Sequence, residues 1–234
     1  SDLSKAAILL AMIGGGKAGN IMSPNPNAIA AADTFHLPLT SVMMAGIIPA
    51  LFGLILTYFL AKRLINKGSK VTDKEVIVLE TQNLPSFLTA LVAPLVAILL
   101  LALRPLFDIK VDPLIALPLG GLIGALCMGK LRNINSYAIN GLSKMTPVAI
   151  MLLGTGALAG IIANSGLKEV LIQGLEHSGL PSFILAPISG VLMSLATAST
   201  TAGTAVASNV FSSTLLELGV SSLAGAAMIH AGAT

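Results

Sequence analysis

Two short stretches break an apolar chain with side chains that can hold a polar solute. The first is Ser23, Asn25 and Asn27, set around Pro24 and Pro26; the second is Thr197, Ser199, Thr200 and Thr201, ending on Gly203. Amides and hydroxyls both donate and accept hydrogen bonds without carrying a charge. A small carboxylate needs donors, and the hydroxyls of a sugar acid need donors and acceptors. Neutral groups meet both needs and still let the solute go. Pro24 and Pro26 remove two backbone donors and push Ser23 and Asn25 toward extended conformations, so a helix must break there. The small residues Ala28 to Ala32 let a second helix begin just after it. Its first free N–H groups are expected to point back into the break, where their partial positive charge suits an anion. Ahead of the break, Gly14-Gly15-Gly16 predicts a loosened helix.

Three further residues are candidates for charge or coupling. Lys17 lies just before the first break, where it either supplies a positive charge or snorkels from a helix end. Asp33 leads into Thr34-Phe35-His36-Leu37-Pro38, which reads as an interfacial loop, with solvation as its simplest role. His230 sits in an apolar stretch and titrates near neutral pH, as a proton carrier or as an interior histidine. Glu217 and His36 read as interfacial. The second stretch also fits a continuous helix with a small-residue packing face, given the spacing of Gly190 and Ser194 and the ability of hydroxyls to bond back to the preceding turn. Its density of hydroxyls favours a broken helix. No metal or cofactor is expected. The single Cys127 permits neither a disulfide nor a metal cluster and reads as helix packing. An intramembrane enzyme is a remote alternative: Ser194 or Ser199 with His230 makes a dyad that nothing orients, and no metal-binding motif is present. A repeated pore motif is also missing.

The elements that carry these residues are membrane helices. The chain is 55% hydrophobic and 10% charged, against roughly 25% charged in an average soluble domain. Uncharged runs long enough to cross a bilayer cover Val42 to Ala61, Ser86 to Leu103, Pro113 to Gly129 and Met145 to Leu167. The charge-free stretch between His177 and Glu217 leaves room for one more crossing and an interrupted one. The fold class is therefore an all-α polytopic membrane protein. A β-barrel is excluded, since no run alternates with period two. With 4% aromatics and no Trp, anchoring falls to Tyr58, Phe59 and the basic residues. The clusters Lys62 to Lys74 and Lys130 to Lys144 place residues 62–84 and 130–144 in the cytoplasm. Residues 131–144 read as an amphipathic interfacial helix. The net charge of +3 follows from this topology, so the partner is the lipid bilayer and no nucleic acid is expected. Both ends, Ser1-Asp2-Leu3 and Ala233-Thr234, read as cuts in a longer chain.

Gly14-Gly15-Gly16, the double-proline motif and Ala30-Ala31-Ala32, with Leu195 to Gly203 closing on Thr-Thr-Ala-Gly, resemble the gluconate permease family of proton-coupled symporters in the ion transporter superfamily. That family's first motif is Pro-Pro-His-Pro-Gly-Pro, and Asn25 stands where its histidine falls. The resemblance implies an inverted-repeat fold with discontinuous helices and re-entrant segments, with residues 1–61 ending a first repeat, 62–84 a cytoplasmic linker and 85–234 a second repeat. It also implies a bacterial inner-membrane symporter for gluconate, glycerate or a related sugar or hydroxy acid. The solute would lie between the two breaks, driven by protons, in a homodimer. A sodium-coupled di- or tricarboxylate carrier is the alternative.

Overall fold

The computed structural model describes residues 4–71 and 85–234. Among them, regular structure is helical apart from an isolated bridge between Ser4 and Lys70. The helices are α1 (Lys5–Met22), α2 (Pro26–Thr34), α3 (Leu39–Ala45), α4 (Ile47–Leu64), α5 (Phe87–Phe107), α6 (Pro113–Cys127), α7 (Ile134–Ala163), α8 (Leu167–Ser178), α9 (Leu185–Thr197), α10 (Thr200–Glu217) and α11 (Ser222–Ala233). Four stretches are long and apolar enough to cross a membrane: Lys5–Thr34, Leu39–Leu64, Phe87–Arg104 and Leu131–Ala163. Large apolar side chains such as Phe52, Leu88, Leu114 and Leu153 face outward. In lipid that is their favourable environment. The protein is an all-α polytopic membrane protein.

Several elements depart from the sequence expectation. α1 runs unbroken through Gly14-Gly15-Gly16. A Cβ on Gly14 would lie 2.3 Å from the side chain of Thr57 on α4, so this glycine lets the two helices approach instead of loosening one. α6 has 15 residues, about 22 Å of helix against a hydrocarbon core of about 30 Å, so it falls short of the full crossing expected there. Residues 134–144 do not form a separate surface helix. They open α7, whose 30 residues span about 45 Å and thus extend beyond the hydrocarbon core. Of the expected linker, residues 62–64 close α4 and 65–71 fold back on the chain start, with Lys5 N–H donating to Ser69 O at 2.9 Å. The rest of 62–84, from residue 72, lies outside the described residues.

The chain divides into two compact units, Ser1–Val78 with Leu152–Thr234, and Leu79–Met151. In the second, α5 packs on α6, where Gly120 and Gly124 approach Ala93 and Ala97. In the first, α1 packs along α4, and α9, α10 and α11 pack on one another. α10 is central, with every residue from Ala202 to Ser208 buried. Small residues set these crossings: a Cβ on Gly190 would lie 2.3 Å from Ile229 O, and one on Gly232 2.3 Å from Pro187 O. The packing role expected of Gly190 is therefore present in α9. α2 lies against α10, α3 and α11, which brings the first break to the second.

Candidate functional site

The first break is Ser23-Pro24-Asn25, between the end of α1 and Pro26 at the start of α2. Asn25 is extended (φ −113°, ψ 169°) and caps α2, its Oδ1 accepting from Asn27 N–H at 2.8 Å and Ala28 N–H at 3.1 Å. Its Nδ2 donates to Asn20 O, to Ser23 O at 3.1 Å and to Ser23 Oγ at 3.2 Å. Ile29 N–H donates to Asn25 O at 3.0 Å, and Pro26 has no N–H. The first turn of α2 therefore offers no free donor, contrary to the sequence expectation. Asn25 has occupied that position itself.

The second break is shorter than the hydroxyl-rich stretch suggests. α9 ends at Thr197, Ala198 takes the left-handed conformation (φ 51°), and Ser199 is extended and caps α10. Thr200 to Ser208 are helical, so the unwinding is confined to Ala198 and Ser199. Ser199 Oγ accepts from Ala202 N–H at 3.3 Å, and Ser199 O accepts from Gly203 N–H at 2.8 Å. Thr197 Oγ1 donates to Met193 O at 2.7 Å, within its own helix. The first four amides of a helix have no intrahelical acceptor. Ser199 satisfies the third and fourth, which leaves the N–H groups of Thr200 and Thr201 open at the positive end of α10.

Two hydrogen bonds join the breaks. Lys17 Nζ donates to Thr200 Oγ1 at 2.6 Å, and Thr201 Oγ1 donates to Asn27 Oδ1 at 2.5 Å. Asn27 is 2% exposed, and its Nδ2 has no partner among the described residues. The structure thus gathers an ammonium group, an open helix N-terminus, two hydroxyls and an unpartnered amide donor. Lys17, Thr200 and Thr201 are half-buried, as a site with an entry path requires. Ser23, Asn25, Thr197 and Ser199 frame this cluster through caps and turns. Asp33 is exposed on α2, while His230 is 1% exposed within α11. Among the described residues no group of three or more His, Cys, Asp or Glu gathers to hold a metal ion.

Ser194, weighed above as half of a dyad and as part of a packing face, has the second of these places. Its Oγ donates to Ala233 O at 2.6 Å, tying α9 to the end of α11 behind the second break. Its signal in the sequence was the small-residue spacing with Gly190. Asn20 was missed altogether; its carbonyl accepts from Asn25 Nδ2 and turns the end of α1 into the break.

The fold defines the class as an all-helical polytopic membrane protein, in which a candidate polar site joins two helix breaks. Comparison with known proteins points to transporters. A family model described as the Na+-H+ antiporter family matches residues 89–178, from α5 to the end of α8. Over all its 234 residues the chain is 99% identical to a protein of Haemophilus influenzae (strain ATCC 51907 / DSM 11121 / KW20 / Rd) described as an uncharacterized transporter, and it spans 56% of that protein's length. No solved structure matches. The family match begins after the first break and ends before the second, so it does not cover the site.

Proposed function

We propose that the full-length protein is an ion-coupled secondary transporter of a small organic anion, held between the two breaks. The observation that carries this reading is the pairing of Lys17 with Thr200 beside the open end of α10. A carboxylate placed there accepts from the Lys17 ammonium and from the Thr200 and Thr201 N–H groups, while Asn27 Nδ2 serves a hydroxyl or the second carboxylate oxygen. One full positive charge matches one carboxylate, which favours hydroxy or sugar monoacids such as gluconate over di- and tricarboxylates. Half-helix termini aimed at an anionic group in a membrane interior are a recurring transporter arrangement.

The acidic side chains Asp33, Asp108, Asp112, Glu169 and Glu217 are exposed and none enters the cluster. The site's own chemistry therefore suits an anion. The match to the Na+-H+ antiporter family supports a second reading, in which sodium or sodium–proton exchange takes the place of proton symport. A bacterial inner-membrane location and a homodimer belong to the same proposal.

The test is uptake by vesicles containing the full-length protein, with proton and sodium gradients imposed separately and a panel of radiolabelled hydroxy acids, gluconate included. Accumulation of an acid under one gradient supports the reading and names the ion. Sodium efflux coupled to protons, with no acid moving, would favour the antiporter reading instead.

A further inference from the structure

Four buried polar atoms have no hydrogen-bond partner among the described residues: Asn27 Nδ2, Ser208 Oγ, Thr214 Oγ1 and His230 Nε2. All belong to α2, α10 and α11. An unsatisfied buried polar group is destabilising, and native structures hold few of them. Asn27 belongs to the anion site. His230 and Ser208 do not, and both are fully buried, at 1% and 0% exposure.

α11 packs on both α10 and α2, the helices that follow the second and the first break. A Cβ on Gly225 would lie 3.6 Å from Leu215, and at the other end Ser194 touches both Gly203 and Ala233. The two helices therefore run antiparallel, Gly225 beside Leu215 and Ala233 near Gly203. Ser208 is seven residues before Leu215, two turns along the same face. It is also seven residues beyond Thr201, about 10 Å along α10 from the anion site.

We propose that His230, carried by α11 against the helices of both breaks, is the proton-carrying centre that couples proton movement to the anion. This rests on the anion reading above. The neutral imidazole takes one proton at Nε2 from the outer solution, becomes an imidazolium, and returns that proton to the cytoplasmic side after the anion leaves. The elements packed on α11 are α2, α3, α9 and α10. Their only titratable side chains are Asp33 and Glu217, both exposed. No carboxylate on these helices is buried beside the imidazolium, and the incoming anion is the negative charge available to it. Each then favours the other, which is the reciprocal coupling that symport requires. At a separation on the order of 10 Å across protein, a unit charge shifts anion affinity roughly tenfold.

The experiment uses the full-length protein in proteoliposomes with the acid that wild type transports. It compares counterflow, which needs no gradient, with accumulation driven by a pH gradient. His230→Gln is expected to keep counterflow and lose proton-driven accumulation by tenfold or more. His230→Asn, a second neutral amide that guards against misfolding of the first variant, is expected to keep counterflow and lower proton-driven accumulation in the same way. Anion affinity of wild type is expected to rise as pH falls, with a flat profile in His230→Gln. Full proton-driven accumulation in either variant would overturn the assignment and leave the anion site standing. Wild-type transport driven by sodium alone would do the same. If wild type moves no organic anion at all, the anion reading itself fails.

Discussion

The Lys17 ammonium and the Thr200 hydroxyl, 183 residues apart in the chain, meet at 2.6 Å. The contact joins α1, just ahead of the first break, to the first residue of α10, just past the second. A carboxylate entering here gives the lysine a charged partner beside its neutral one, and the Thr200 hydroxyl, which accepts from the lysine, has its own proton left to donate to that carboxylate. A charge-assisted hydrogen bond contributes about 1.5–3 kcal/mol. Lys17→Met should therefore weaken anion binding by roughly ten- to a hundredfold, measured by titration calorimetry on the full-length protein. Lys17→Arg, which keeps the charge, should lose less.

Asn25 has a different role from its neighbours, because both ends of its amide are engaged within the break. Asn25→Ala removes the cap of α2 and should lower stability by about 1 kcal/mol, read as a fall in melting temperature. Asn25→Asp keeps the accepting oxygen toward Asn27 and Ala28 and should melt closer to wild type. Equal melting of the two variants would show that the cap contributes nothing.

The three consecutive glycines of α1 should not respond alike. Gly14 meets Thr57 across the α1–α4 contact, whereas Gly15 and Gly16 have open space around them. Gly14→Ala should destabilise the protein by separating the helices, while Gly15→Ala and Gly16→Ala should be neutral or stabilising by up to about 1 kcal/mol. Thermal unfolding of the three variants in one detergent decides this.

Ala198 adopts φ 51° at the second break. A side chain in that left-handed region is strained by about 1–2 kcal/mol, and glycine is not. Ala198→Gly should therefore be tolerated and should raise the melting temperature, offset in part by the greater freedom of the unfolded chain. A large loss of stability would mean that the turn depends on the Ala198 methyl group.

Much of this was legible in the sequence because it is written locally. Pro24, Pro26 and the alanines after them announce a break and a restart, and the hydroxyl-rich run announces the second break. Apolar run length gives the membrane class. What was not legible depends on partners distant in the chain. Gly14 reads as a helix breaker until Thr57 of α4 is found against it. Asn25 reads as a ligand until its own backbone neighbours are seen to use both ends of its amide. The extent of α7 was missed because polar residues at 133, 135, 136 and 140 resemble an interfacial segment, although nothing in them stops a helix. The contacts of Lys17 with Thr200 and of Asn27 with Thr201 could not be read from spacing, because each joins residues more than 170 positions apart that only the folded chain brings together.

The central claim is that residues from the two breaks serve one bound anion, and a double-mutant cycle on binding tests it most directly. Asn27→Ala takes a donor from the first break and Thr200→Ala takes a hydroxyl from the second. Titration of the full-length protein with its transported acid should show weaker binding in each single variant, by roughly tenfold. The double variant should depart from the product of the two effects, because residues sharing one ligand are coupled. Wild-type affinity in both single variants would show that the breaks are structural and that the anion binds elsewhere.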